Sequence, residues 1–316
     1  GNASFQPEGT TDTVGVFTQN EFIWNERLTV LAGARVDFQK TTPGDQVPTD
    51  VEVEDQGSAA TLALHYQATD QWALFGSASY TERLPVVDEL YDSRSTGGAD
   101  QISAETLEKE ESRNIEVGVA FSQDDIFGTG DQLSFKTVAF KNNLDNLIAR
   151  NSAGVAGDPV VVNIGEAYIQ GVELEAAYES ETLFGSLAYT NMDGENESDP
   201  TSLNPNLEDR IPANTLVLSL GTRIPTADLE LGWTGTYYES KSRVTAGMAG
   251  INTIDTPDEL IHDVYAAWTP DEGAFADLTV RLGVTNVTDE DYRTHLQGDN
   301  VRRAGQSINL SVSRTF

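Results

Sequence analysis

About thirteen stretches of this chain alternate apolar and polar residues with period two, and the connections between them alternate between short and long. The stretches fall near 13–24, 28–40, 58–68, 72–82, 112–123, 132–150, 163–179, 182–193, 214–224, 227–239, 259–269, 275–287 and 304–316. NER (25–27), TDQ (69–71), SET (180–182) and PTA (225–227) are tight connections, and DDIFGTGD (124–131) and PDEGA (270–274) are slightly longer. Between them lie the long segments 41–57, 83–111, 151–162, 194–213, 240–258 and 288–303. A soluble β-sandwich also shows alternation, with its apolar face inward, but it has no reason to sort its connections in strict turn. An antiparallel transmembrane β-barrel does, with short periplasmic turns and long extracellular loops. The stretches are also close to the ~9–11 residues a tilted strand needs to cross a bilayer.

Single stretches carry the pattern clearly. LTVLAGARVDF places Leu28, Val30, Ala32, Ala34, Val36 and Phe38 on one face, and ATLALHYQA places Leu62, Leu64 and Tyr66 opposite Thr61, Ala63 and His65. The sixth stretch, 132–150, is overlong and is expected to bend near Asn142, Asn143 and Asp145. PVVDELYD (85–92) is the one plausible short helix, since Pro suits a first helical turn. Trp24, Trp72 and Trp268, with Phe22, Phe184 and Phe275, sit near short connections, as a periplasmic aromatic girdle would require. Trp233 falls in the middle of a stretch and does not fit that girdle.

Composition agrees with an apolar-out, polar-in wall. Apolar residues make up 38% of the chain, below the usual share for soluble domains, and no run approaches the ~20 apolar residues of a membrane helix. The net charge of −32 argues against nucleic acid as a partner. The absence of cysteine excludes a disulfide framework and thiolate metal sites. There is no N-terminal signal segment, so either the chain is not exported or the signal has been removed. The acidic segments VEVEDQ (51–56) and DGENESD (193–199) match no calcium-loop spacing and read as solvated loops.

If 25–27 is periplasmic, the first and last strands run in the same direction. They could close a barrel only as a parallel pair, whereas bacterial single-chain barrels are even-numbered and antiparallel. Earlier strands are therefore expected to be missing here, being on a longer parent chain, on a separate chain or absent, with residues 1–12 as an extracellular loop remnant and 13–316 as the C-terminal part of the barrel.

Five segments resemble the C-terminal part of TonB-dependent outer-membrane receptors. TERLPVVDELYD (81–92) is similar to the family's FRAP…ELY box through Arg83, Pro85, Glu89, Leu90 and Tyr91, with Glu82 where Phe is usual. LEKEESRNIEVGVAF (107–121) matches a family strand at Glu110, Ser112, Asn114, Glu116 and Gly118, with Lys109 in place of Pro. VNIGEAYIQGVELEAAY (162–178) resembles the N-x-G-x-A-x-I-x-G-x-E-x-E strand closely, and RIPANTLVLSL (210–220) resembles the R-x-P-x-x-T strand entry. Residues 284–316 are similar to the terminal unit, with Val287 and Thr288 replacing Leu and Phe and Gln306 replacing Arg. The resemblance implies a barrel of about 22 strands closed by a plug, in the outer membrane of a Gram-negative bacterium. About thirteen of those strands are present here; neither the plug nor the box that contacts TonB is seen.

The same resemblance implies a transporter rather than an enzyme, with no cofactor. A scarce nutrient is bound outside, with an iron chelate such as a ferric siderophore ahead of haem, cobalamin or a carbohydrate, and TonB supplies the energy through the N-terminal region. Arg83, Tyr91, Arg293, His295, Arg302 and Arg303 are the candidate ligand-binding residues of the extracellular loops. His295 stands without a nearby His or Cys and reads first as an ordinary loop residue, because metal sites need several ligands. Arg302 and Arg303 could meet an anionic ligand, lipopolysaccharide phosphates or acidic neighbours. The haem-uptake subgroup commonly carries a His in the loop after the FRAP box; 92–110 has none, and NPNL (204–207), which resembles a motif of that subgroup, lies in a different loop. A passive porin or adhesin barrel, and a soluble secreted sandwich, are the alternatives. Ile308, Leu310, Val312 and the terminal Phe316 are similar to the signal read by the barrel assembly machinery. Deleting Phe316 is expected to lower outer-membrane insertion far more than any loop substitution; surface levels of the deletion variant measure this, and normal levels would contradict it.

Overall fold

The structure is a computed structural model that describes residues 6–314, apart from 46, 94, 97–98, 101, 151–156, 197–210, 248–249 and 298–300. Thirteen strands form one antiparallel sheet in sequence order. They are β1 (Gly9–Trp24), β2 (Leu28–Pro43), β3 (Val53–Gln67), β4 (Trp72–Arg83), β5 (Glu110–Asp124), β6 (Gln132–Asp145) and β7 (Ala167–Glu179). Then follow β8 (Leu183–Asn196), β9 (Thr215–Ile224), β10 (Leu229–Tyr238), β11 (Glu259–Trp268), β12 (Leu278–Thr285) and β13 (Ser307–Arg314). Each strand pairs only with its sequence neighbours, and β1 and β13 form the two edges. Among the described residues no second sheet faces this one as a sandwich requires, because the remaining paired segments are two-stranded.

The short connections are built on side chains that tolerate a left-handed backbone. Asn25, Asp125, Asp228 and Asp277 all have positive φ, between 49° and 66°. Asn and Asp are several-fold enriched there because their short polar side chains bond locally; Asn25 Oδ1 accepts the Arg27 N–H at 3.0 Å.

Register decides which face is dry. Directly opposed residues of antiparallel strands share a face, so a row of partners can be followed across the sheet. One row runs Leu218, Leu187, Ala176, Phe135, Phe121, Trp72. Another runs Val119, Leu74, Tyr66, Leu28, Trp24. A third runs Ile308, Val284, Val264, Trp233, Leu220. These rows lie on one continuous apolar face, where Leu74, Val117 and Leu310 are 50%, 58% and 69% exposed. Its solvent is lipid. Trp72, Phe121 and Phe135 cluster near the short turns with ring centroids 4.9–5.6 Å apart, and Trp268 meets Phe275 at 5.9 Å, as interfacial aromatics do.

The opposite face is polar. Its row Ser311, Arg281, Ala267, Glu230, Arg223 carries alternating charge, and Arg223 bonds Glu179 and Glu230 at 3.0 and 3.3 Å. Where large rings stand on this face, the partner strand gives way. Phe75 lies against Gly118 and Phe184 against Gly221, and a Cβ at either glycine would collide with the ring. A ring over a cross-strand glycine restores the contact the glycine lacks. Lys136 and Arg223 then lie over Phe75 and Phe184, 5.3 and 4.7 Å from their centroids.

Several expectations change. Phe184 does not join the girdle, because its register with Gly221 turns it to the polar face. The sixth strand ends at Asp145, and Ile148–Arg150 leaves it to pair with Val161–Asn163 in a separate hairpin. β1 begins at Gly9, inside the stretch expected as loop. Segment 240–258 is not structureless: Lys241–Gly247 pairs with Gly250–Thr256. The expected helix is one turn, Val87–Leu90. Ile308, Leu310 and Val312 lie on the apolar face as expected, whereas Phe316 falls outside the described residues.

A charge on the dry face should cost far more than one on the wet face. Val117→Arg, at mid-strand in β5, is expected to destabilise the folded protein in a bilayer by ~2–4 kcal/mol. The neighbouring Glu116→Gln should change stability by less than about 1 kcal/mol. Denaturant titration of the two variants in lipid vesicles compares them.

Candidate functional site

The long connections all emerge at the end of the sheet away from the turns, and two of them carry the candidate residues. Segment 84–109 returns from β4 to β5. Arg83 makes a bidentate pair with Glu89, at 2.9 and 3.0 Å, and also bonds the Glu110 carboxylate. Glu110 accepts the Ile148 N–H at 2.7 Å, and Glu89 accepts the Val86 N–H at 3.1 Å. One guanidinium therefore ties the start of the loop, the single helical turn and β5 into one unit. Its planar fork suits this role better than an ammonium would.

Tyr91 follows the helical turn and has no exposed surface. Its hydroxyl shares its proton between the carbonyls of Thr41 and Val51, at 3.0 and 2.9 Å. Burial, then the carboxylates of Glu105 and Glu52, hold its pKa above the ordinary 10.0. Leu90 beside it is also fully buried. Behind them Ala104, Ile148, Val160 and Val161 form a small apolar cluster with Leu107 packed on it. Asn163 closes this unit by acting as a surrogate peptide: its amide donates to the Glu108 and Asn146 carbonyls at 2.9 and 2.7 Å, and its oxygen accepts the Glu108 N–H at 2.9 Å. Arg83 and Tyr91 thus serve the architecture of this loop, with Tyr91 shielded from any ligand by its burial.

The second loop, 286–306, is pinned by Asn286. Its N–H donates to Asp263 at 2.7 Å, its amide donates to the Glu290 carbonyl at 2.8 Å, and its oxygen accepts the Glu290 N–H at 2.9 Å. Gln306 donates to Asp289 and to the Val287 carbonyl, at 2.7 and 2.8 Å, closing the loop base. Tyr292 stacks on Tyr238 with centroids 6.2 Å apart. Arg293 reaches the Asp255 carbonyl at 3.1 Å and so joins this loop to the 241–256 hairpin.

His295 is only 2% exposed, so a haem or metal could reach its imidazole only after the loop opened. Arg302 and Arg303 are exposed; the backbone N–H of Arg303 donates to the Tyr292 carbonyl at 2.9 Å, and Arg302 lies 3.7 Å from Asp291. Of the six candidates, the structure brings Arg293, His295, Arg302 and Arg303 together on one loop and sets Arg83 and Tyr91 in another. No group of three or more His, Cys, Asp or Glu side chains suited to a metal occurs among the described residues. NPNL (204–207) lies outside them.

Asn163 and Asn286 escaped the residue-by-residue reading. Both belong to motif letters already visible in VNIGEA and VTNVTD, but a lone Asn in a polar segment gives no sign that three polar groups converge on it.

The family described as TonB dependent receptor-like, beta-barrel matches residues 1–287. TonB-dependent heme receptor A of Haemophilus ducreyi is 26% identical, over 99% of this chain and 46% of its own length. The FrpB iron transporter of Neisseria meningitidis (F5-1 variant) superposes with a TM-score of 0.77 at 20% identity, covering 98% of this chain and 46% of that one. The Serratia marcescens hemophore receptor HasR, solved with its hemophore HasA and heme, superposes with a TM-score of 0.74 at 21% identity, covering 98% and 52%. The chain spans about half the length of these proteins.

Replacing the buried hydroxyl tests the loop architecture. Tyr91→Phe leaves the buried Thr41 carbonyl and the Val51 carbonyl without their donor and is expected to weaken loop docking by ~1–2 kcal/mol, read as faster proteolytic clipping within 84–109 at pH 7. Because the folded pKa is raised, the hydroxyl's contribution is complete below the ordinary 10.0 and is lost as pH rises past it. Clipping of the unaltered protein should therefore accelerate above about pH 10, and the Phe variant should lack that acceleration.

Proposed function

Since this chain belongs to the TonB-dependent receptor family, within its β-barrel, we propose that it forms the barrel portion of an outer-membrane importer whose cargo is haem. The carrying observation is the match over 99% of the chain to a TonB-dependent heme receptor. It reverses the order set out from the sequence alone, in which a ferric siderophore stood ahead of haem. A hemophore receptor solved with heme among the structural neighbours supports the same reading.

The loop chemistry fits such a cargo. Haem presents an apolar ring and two carboxylates. The exposed guanidinium groups of Arg302 and Arg303 are suited to carboxylates. Tyr292 and Tyr238, stacked at the base of the same loop, place an aromatic surface close by. In this proposal Arg302 and Arg303 receive the propionates, and the buried His295 and Arg293 hold the loop that presents them. The thirteen strands from Gly9 to Arg314 form part of the barrel wall. Energy reaches the cargo from TonB through a region N-terminal to residue 1, the last strand docks on the assembly machinery, and lipopolysaccharide surrounds the outer rim.

A strain lacking the gene should fail to grow on haem as sole iron source, and rescue should require a functional tonB gene. Rescue without TonB would favour a passive barrel, and rescue on ferric siderophores alone would return the cargo to that class. In absorbance titrations of the purified protein, Arg302→Ala combined with Arg303→Ala is expected to weaken haem binding about tenfold.

A further inference from the structure

The chain has three histidines, and the fold sends them to three different places. His262 is in register with Gly235 and Leu218 and so belongs to the lipid face. His295 is buried in its loop. His65 is an exposed imidazole on the polar face, which lines the lumen. It stands two residues before the end of β3, beside the turn to β4, and therefore at the periplasmic mouth of that lumen.

The surroundings of His65 differ from the rest of the wet face. Its row, Ile23, Thr29, His65, Phe75 and Gly118, runs from β1 to β5 without a charge. Ile23 is 72% exposed. The Phe75 ring, directly opposite His65, leans away from it across Gly118. The Lys136 ammonium lies over that ring, 5.3 Å from its centroid. The next row towards the turns runs Gln67, Ala73, Ala120, Lys136, so two alanines keep the wall low between β3 and β6. Those strands are three spacings apart, ~14 Å, and Lys136 reaches back over part of that span. Glu175 stands opposite Lys136 in register, yet the exposed ammonium is drawn to the ring and forms no ion pair among the described residues.

We propose that His65, Phe75 and Lys136 form a second seat for haem, at the exit of the lumen. An imidazole at one end, an aromatic and two alanines between, and a cation at the other end match the three parts of that ligand. His65 ligates the iron, as imidazole commonly does for haem. The porphyrin lies along Phe75, Ala73 and Ala120, and Lys136 turns from the ring to a propionate carboxylate. One axial nitrogen and one exposed ammonium make a weak hold, which suits a station that must also release its ligand. The inference rests on haem as the cargo and adds a station distinct from Arg302 and Arg303.

The test is a titration of the purified full-length protein with ferric haem, read by absorbance and electron paramagnetic resonance. A haem with imidazole ligation is expected in addition to the one received by Arg302 and Arg303. His65→Ala should remove the imidazole-ligated signal, and free imidazole added to that variant should restore it. His65→Gln, which keeps size and polarity, should lose the signal equally. Lys136→Ala should keep the signal and weaken the affinity of that haem roughly fivefold, the scale of one exposed charge interaction. In cells, His65→Ala should slow growth on haem while haem retained at the cell surface is unchanged. Persistence of the imidazole-ligated signal in His65→Ala, or its loss in His295→Ala instead, would overturn the proposal. If the unaltered protein binds no haem and supports no growth on it, the cargo reading and this seat fall together. If it does both and His65→Ala alters neither the spectrum nor growth, the seat alone falls.

Discussion

The hydrogen-bond ladder between neighbouring strands is what every other feature rests on. Within hydrocarbon no water is available to satisfy a peptide group, so each strand must find its partners in the strands beside it. Consecutive pairing from β1 to β13 meets that demand for every strand except at the outer sides of β1 and β13. It also fixes register, and register turns a local alternation into a continuous dry face and a continuous wet one. A slip of one residue in any strand would place Glu116, or its counterparts in other strands, in lipid.

The two faces solve different problems. The lipid face needs only apolar bulk, and its aromatics gather near the short turns. The polar face must hold charges and large rings without a packed core behind them. It does so by setting Phe75 and Phe184 over cross-strand glycines and laying Lys136 and Arg223 on those rings. Arg223, Glu179, Glu230 and Arg281 then share charge across four strands, with Arg281 4.7 Å from the Tyr265 ring centroid. At the other end, the loops that carry the candidate ligand residues are held by single polar side chains, Arg83, Tyr91, Asn163 and Asn286, each bonding several groups of other segments. These anchors leave Arg302 and Arg303 outward.

Much of the wall was legible because period-two alternation and turn chemistry are local properties. All thirteen strands were expected, with boundaries shifted by a few residues where a strand continues past the bilayer, as β2 does to Pro43. Phe184 was misplaced because nearness to a turn says nothing about face, which depends on pairing with Gly221. The long loops were read as featureless for a related reason. The Ile148–Arg150 and Val161–Asn163 hairpin, the buried Tyr91 and the Asn163 bracket are made by residues distant in sequence, and no periodicity announces them.

The sequence by itself determined the strand number, the short-and-long rhythm of the connections, the aromatic girdle near the short turns and the apolar character of the last strand, because each follows from neighbours a few residues apart. Only the tertiary structure decided which candidate residues are presented and which are spent on architecture. Tyr91 and His295 carry ligand-capable chemistry but are buried, while Arg302 and Arg303 remain outside. The physical reason is that burial and register are set by partners from other strands and loops, and a polar side chain is recruited to hold the fold wherever unsatisfied backbone groups converge on it.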